Sequence, residues 1–186
     1  MLPEEARMID KTRQGIPEDH CIRELFHQLT ERGLGQLNLH DRDTIQYITN
    51  LLTEFIQTEN MYRIKDEAGR RVQYLFDMLA QASREMAPEQ RRDYYKHVGD
   101  LTLFNLGLFP ESLTHGHRTV SPDYYAETGR RSYTIVAEMD AYSPRPHTVY
   151  RKLSEQFEQC VVGLNWVKLY INDPFYQYMF REFDIT

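Results

Sequence analysis

Residues 94–133 read YYKHVGDLTLFNLGLFPESLTHGHRTVSPDYYAETGRRSY, and this stretch decides the fold. From Val98 to Phe109 the polar residues are Asp100, Thr102 and Asn105. At the 100° step of an α-helix they point in three different directions. A helix that is hydrophobic all round belongs in the middle of a protein. Twelve residues are too few to cross a bilayer. Pro110 ends the run, and Ser121-Pro122-Asp123 offers a cap residue, a proline for the first helical position and an early acid. The stretch therefore predicts a buried central helix over about 94–109, an ordered loop and a partner helix.

Working outward, helical spacing recurs on both sides. Residues 1–16 form a polar N-terminal arm, and Pro17 opens a helix to about Arg32 on the stripe Ile22, Leu25, Phe26 and Leu29, with Gly33-Leu34-Gly35 as its stop. The next helix starts near Asp41, carries Ile45, Ile48, Leu51, Leu52, Phe55 and Ile56 inward, and frays near Asn60. Asp66 caps a third, with Val72, Leu75, Phe76 and Leu79. Pro88 opens the fourth, which becomes apolar after His97. The fifth spans about 122–140 and places the small residues Gly129 and Ser132 opposite Gly99 and Gly107 of the fourth, where two backbones can approach closely. After Ser143-Pro144-Arg145-Pro146 comes one long helix, about 147–172, with Leu153, Phe157, Cys160, Val161, Leu164 and Ile171 inside. Asp173-Pro174 ends it, and the aromatic tail 174–186 is expected to dock. No strand-period segment competes. The expectation is an all-α, single-domain bundle of about six to seven helices spanning residues 1–186.

Composition agrees with a globular chain, at 41% hydrophobic and 27% charged. The surplus is in aromatics, with 13 Tyr and 9 Phe, which suggests a core with many hydroxyls to satisfy. Net charge is −6 and the most basic stretch, residues 61–97, carries only +2. That argues against a nucleic-acid partner. The basic run Arg63, Lys65, Arg70 and Arg71 is broken by acids and reads as an exposed mixed-charge turn. Cys21 and Cys160 lack metal-ligand spacing, and no signal peptide or membrane span is visible. The expected setting is the cytoplasm, with reduced thiols, no membrane and no cofactor.

The pattern His97-Val98-Gly99-Asp100-Leu101-Thr102-Leu103-Phe104, then Gly107-Leu108-Phe109-Pro110-Glu111, then Asp123-Tyr124-Tyr125 and Gly129-Arg130-Arg131-Ser132-Tyr133 resembles a family of uncharacterised bacterial proteins. Tyr62-Arg63-Ile64-Lys65-Asp66, residues 74–79 and residues 157–166 share the likeness. The resemblance covers most of residues 40–170. It implies a bacterial, soluble, all-helical protein and no particular activity.

Asp100 is the residue that chemistry singles out. A carboxylate in an apolar helix is costly to bury unless paired. Its first reading is a brace, ion-paired or hydrogen-bonded to Arg130, Arg131 or a tyrosine hydroxyl of the fifth helix. The rival reading is a ligand or general base with a site around His97, Asp100, Tyr125, Arg130 and Tyr133. Asp93, His97 and Asp100 stand at i, i+4 and i+7, the spacing of an alternative metal set, and His20, Glu24 and His27 repeat it. A di-iron bundle needs such pairs from several helices, and the other inner stripes lack glutamates. Glu111, His115, His117 and Arg118 gather in the loop after the central helix as anion-contact or titrating candidates, against a solvated loop in which Glu111 caps a turn. No nucleophile triad or glycine-rich phosphate loop can be assembled.

Two functions follow from different classes. One is a non-catalytic helical protein acting in interaction or regulation, as a homodimer, with the aromatics of the last helix and tail (Trp166, Tyr170, Phe175, Tyr176, Tyr178) covered by the second copy or by the rest of the chain, and with a further protein partner unspecified. The other is a metal- or small-molecule-binding bundle, an oxidoreductase, with its site near His97 and Asp100. The missing catalytic grouping favours the first.

Overall fold

Pro88 at the first helical position opens the central helix, and the chain then stays helical for 21 residues. The computed structural model describes residues 21–56, 87–114, 121–141 and 148–174, with residue 177. Its secondary structure is helix throughout, with no strand among the described residues: α1 (Cys21–Gly35), α2 (Arg42–Phe55), α3 (Pro88–Leu108), a 3-10 turn (Pro110–Thr114), α4 (Pro122–Asp140), α5 (Val149–Glu155) and α6 (Phe157–Ile171). The expected helix after Asp66, the basic run 63–71, His115 and His117, the Pro-rich linker, the N-terminal arm and the tail beyond 177 lie outside the described residues, as do Phe175 and Tyr176.

α3 is the axis. Residues 97–108 are buried except the half-buried Asn105, as expected from a run with no polar side. α4 packs along it, α6 crosses it, and α2 closes the other flank. Thr102 is tolerated inside because its hydroxyl donates to the Val98 carbonyl at 2.8 Å. Thr49 and Thr53 of α2 use the same device, donating to Ile45 and Thr49 carbonyls. The predicted cap at Ser121 forms, accepting from Tyr124 N–H at 3.2 Å, and Asp41, where the sequence places the start of the second helix, caps it by accepting from Thr44 N–H at 2.9 Å.

Three expectations change. The first helix does not stop at Gly33. It runs to Gly35, and the left-handed turn residue is Asn38, at φ 58°. Gly33 instead lets α6 in, since a Cβ there would lie 2.6 Å from the Gly163 carbonyl oxygen. The long final helix is two helices, joined at Gln156 with φ −114° and ψ 24°. Neither glycine nor proline causes the break. α5 lies against α4 and α2 while α6 lies against α1 and α3, and one straight rod cannot follow both surfaces. Third, only part of the glycine seam joins α3 to α4. Gly99 faces the Tyr133 ring of α4, but Gly107 faces Leu164 of α6. On α4, a methyl at Gly129 would overlap Phe157 of α6 and the Thr102 hydroxyl of α3, so three helices meet there.

Candidate functional site

Arg92, Lys96 and Asp100 stand at i, i+4 and i+8, which puts all three on one face of α3. That face meets Tyr47 of α2, Tyr133 and Asp140 of α4, and Tyr150 of α5. Asp100 is 1% exposed, and both of its oxygens are occupied. Oδ1 accepts the Tyr47 hydroxyl at 2.5 Å and the Tyr133 hydroxyl at 2.8 Å. Oδ2 accepts the Lys96 ammonium at 2.6 Å. Lys96 also lies over the Tyr47 ring, 5.4 Å from its centroid, which adds a cation–π contact.

One turn toward the surface a second clamp repeats the pattern. The Arg92 guanidinium holds Asp140 bidentately, Nε to Oδ1 at 2.5 Å and Nη2 to Oδ2 at 2.8 Å. Its plane lies 5.4 Å from the Tyr150 ring centroid. The three tyrosine rings pack on one another between the clamps, with centroids 5.5 to 6.2 Å apart. Four helices are thereby tied at one buried polar seam.

The electrostatics follow from burial and pairing. Burial holds the Tyr47 and Tyr133 hydroxyls well above the ordinary tyrosine range, and the Asp100 charge adds to this, so both remain donors. Burial opposes the charge on Lys96, but Asp100 outweighs it and leaves the ammonium above its ordinary value. Arg92 is likewise raised, chiefly by its hydrogen bonds to Asp140. Within the seam Lys96 is paired with Asp100 and Arg92 with Asp140, and the exposed Asp93 also approaches Arg92 from outside. No family model, curated protein or solved structure matches this chain.

The expected site residues separate. Asp100 and Tyr133 meet, as one of the brace readings required. Arg130 and Arg131 do not take part. Both are exposed, and Arg130 pairs with Glu127 on its own helix. The reason is helical phase, because burying Ser132, Tyr133 and Val136 turns positions 130 and 131 outward. His97 is 1% exposed and packs beside the Phe55 ring, 5.9 Å between centroids. Tyr125 is half-buried at the start of α4. Glu111 is exposed and binds Lys168 of α6 through both oxygens at 2.8 Å. Asp93 is exposed, with Arg92 at 3.3 Å. Among the described residues no group of three metal-ligating side chains is assembled.

The missed members are Lys96, Tyr47, Arg92, Asp140 and Tyr150. One signal was present, since Lys96 precedes Asp100 by four residues, the spacing of a helical ion pair. Tyr47 and Tyr150 come from distant helices that nothing in their spacing points toward α3.

Proposed function

We propose that this chain is a non-catalytic helical protein that works by association, as a homodimer formed through the outer row of α6. The supporting observation is the character of that row. Between Gln159 and Asn172 the exposed residues of α6 are Val162, Trp166 and Leu169, at i, i+4 and i+7, and they are 42%, 37% and 59% exposed. Apolar side chains lined up on one exposed helical stripe mark a contact surface more often than scattered ones do. An uncharged row can also meet its own copy across a two-fold axis without opposing like charges. Tyr170 is among the aromatics expected to be covered by a second copy or by the rest of the chain, and its own chain covers it in part. It is half-buried, stacked on Trp166 at 6.2 Å, with the Arg32 guanidinium 4.5 Å above its ring.

The Asp100 seam supports the same reading from inside. Its donors and acceptors are spent on one another, which suits a brace better than a reacting centre. Residence in the cytosol is part of the proposal, and the buried thiol of Cys160, pushed up to about 12 by burial, is consistent with it. No described helix is long and apolar enough to cross a membrane.

Light scattering across micromolar concentrations tests the association. The expected mass is twice 22.2 kDa, falling to the monomer in Trp166→Glu. A monomeric mass at every concentration, or a dimer indifferent to Trp166→Glu, overturns the reading.

A further inference from the structure

Around α6, Val162, Trp166 and Leu169 form the outer row, while Gly163, Val167 and Tyr170 stand one residue further round, at i, i+4 and i+7. That second row meets α1. A Cβ on Gly33 would lie 2.6 Å from the Gly163 carbonyl oxygen and 3.0 Å from Val167 Cγ2, so the two helices cross there almost in backbone contact. The crossing carries Arg32, in the last turn of α1, to Tyr170, and its guanidinium lies 4.5 Å from the ring centroid. Tyr170 in turn stacks on Trp166, with centroids 6.2 Å and planes 30° apart. A continuous line of contacts thus runs from α1 to the middle of the outer row.

The consequence falls on Trp166. An exposed tryptophan with nothing behind it samples several rotamers, and fixing it in one at an interface opposes association. Here the ring is backed by Tyr170, which a cation–π contact ties to a second helix, so much of that freedom is lost before a partner arrives. Trp, Tyr and Arg are also the residue types that carry most of the energy at protein interfaces. A cation in the last turn of α1 suits that helix's dipole, which accounts for the charge of Arg32 but not for its aim at the ring.

We propose that Arg32 is a positioning residue for self-association: through Tyr170 it presets Trp166 as the anchor that the second copy receives. The proposal rests on the α6 dimer described above. It adds a determinant of that dimer on α1, outside the row that makes the contact.

Two measurements on the full chain test this. Sedimentation equilibrium gives the dimer dissociation constant, and acrylamide quenching reports on Trp166 alone, since it is the one tryptophan. Arg32 is exposed, so Arg32→Gln leaves the fold intact, as circular dichroism will verify. Arg32→Gln and Tyr170→Leu should each weaken the dimer about fivefold, the cost of ordering one large side chain on binding. The double variant should lose no more than Tyr170→Leu alone, and Arg32→Lys, which keeps a cation, should fall between Arg32→Gln and wild type. At dilutions where only monomer is present, acrylamide should quench Trp166 more readily in Arg32→Gln than in wild type. A simple tether between α1 and α6 predicts instead a lower urea midpoint in Arg32→Gln with the dimer constant unchanged. That result overturns the proposal while leaving the dimer standing, as do losses that add in the double variant. A wild type that stays monomeric removes the dimer and the proposal together.

Discussion

At the scale of single residues, stability concentrates on Asp100. Its carboxylate accepts three donors from three helices, so replacing it removes more than one pairing. Asp100→Asn keeps the shape but leaves the ammonium of Lys96 opposite an amide, and the amide must find acceptors of its own. Breaking a buried pair by removing one partner costs about 3–5 kcal/mol, and Lys96 keeps partial access to water, which places this variant near about 3 kcal/mol. Denaturant unfolding will measure it, and an equally stable or more stable variant would show that the carboxylate is held under strain for some other purpose. Arg130→Ala and Arg131→Ala should leave the midpoint where it is, because both side chains are in solvent. The tyrosines are coupled through one oxygen. Tyr47→Phe and Tyr133→Phe should each cost about 1 kcal/mol, and the double variant more than the sum, since the second loss leaves Oδ1 without either hydroxyl. Strict additivity would mean that the two hydroxyls do not share the acceptor in solution.

At the scale of elements, glycines fix how close the helices come. Gly129 is the tightest place among the described glycines, where an added Cβ would meet both α3 and α6. A leucine there has no cavity to enter, and overpacking typically costs about 1–3 kcal/mol or more, so Gly129→Leu should reach at least the upper part of that range. A thermal midpoint within a degree of wild type would refute the three-helix contact. The Gly33–Gly163 crossing gives a second test through α1 and α6. Gly163→Ala sets its methyl against Leu34, and the cost should exceed that of Gly35→Ala, where a methyl meets only the His40 ring at 3.6 Å. Equal effects at the two positions would mean that α1 and α6 are not in close contact.

At the scale of the whole molecule, the seam sets a limit on alkaline stability. Tyr47, Tyr133 and Lys96 all bind protons more tightly in the native state than at their ordinary values of 10.0 and 10.5. As pH climbs, the unfolded chain therefore loses protons first, and the balance moves toward it. Stability contributed by these groups is complete below about pH 9 and declines through about pH 10–11. Urea midpoints measured between about pH 8 and pH 11 should be flat and then fall. A constant midpoint over that window would show that the hydroxyls ionise in place. In Asp100→Asn the fall should be shallower, because the carboxylate that raises all three values is gone, and burial, which still raises the two tyrosines, works against the charge on Lys96.

The sequence by itself determined the helices and the depth of α3. A run from Val98 to Leu108 with no polar side has no way to sit at a surface, and the caps at Asp41 and Ser121 and the proline at 88 act within a few residues of themselves. Such features depend on local sterics and on periodicity, which a linear chain displays. That Asp100 needs a partner was equally legible, since desolvation of a charge is costly wherever it occurs. Which partner it takes was decided by tertiary structure. Lys96 was near in sequence, but Tyr47 lies 53 positions away and Tyr133 lies 33 away. The break at Gln156 and the turn of Gly107 toward α6 have the same origin. Each depends on where two helices rest against a third, and that is set by the shapes of packed surfaces rather than by the order of residues along any one of them.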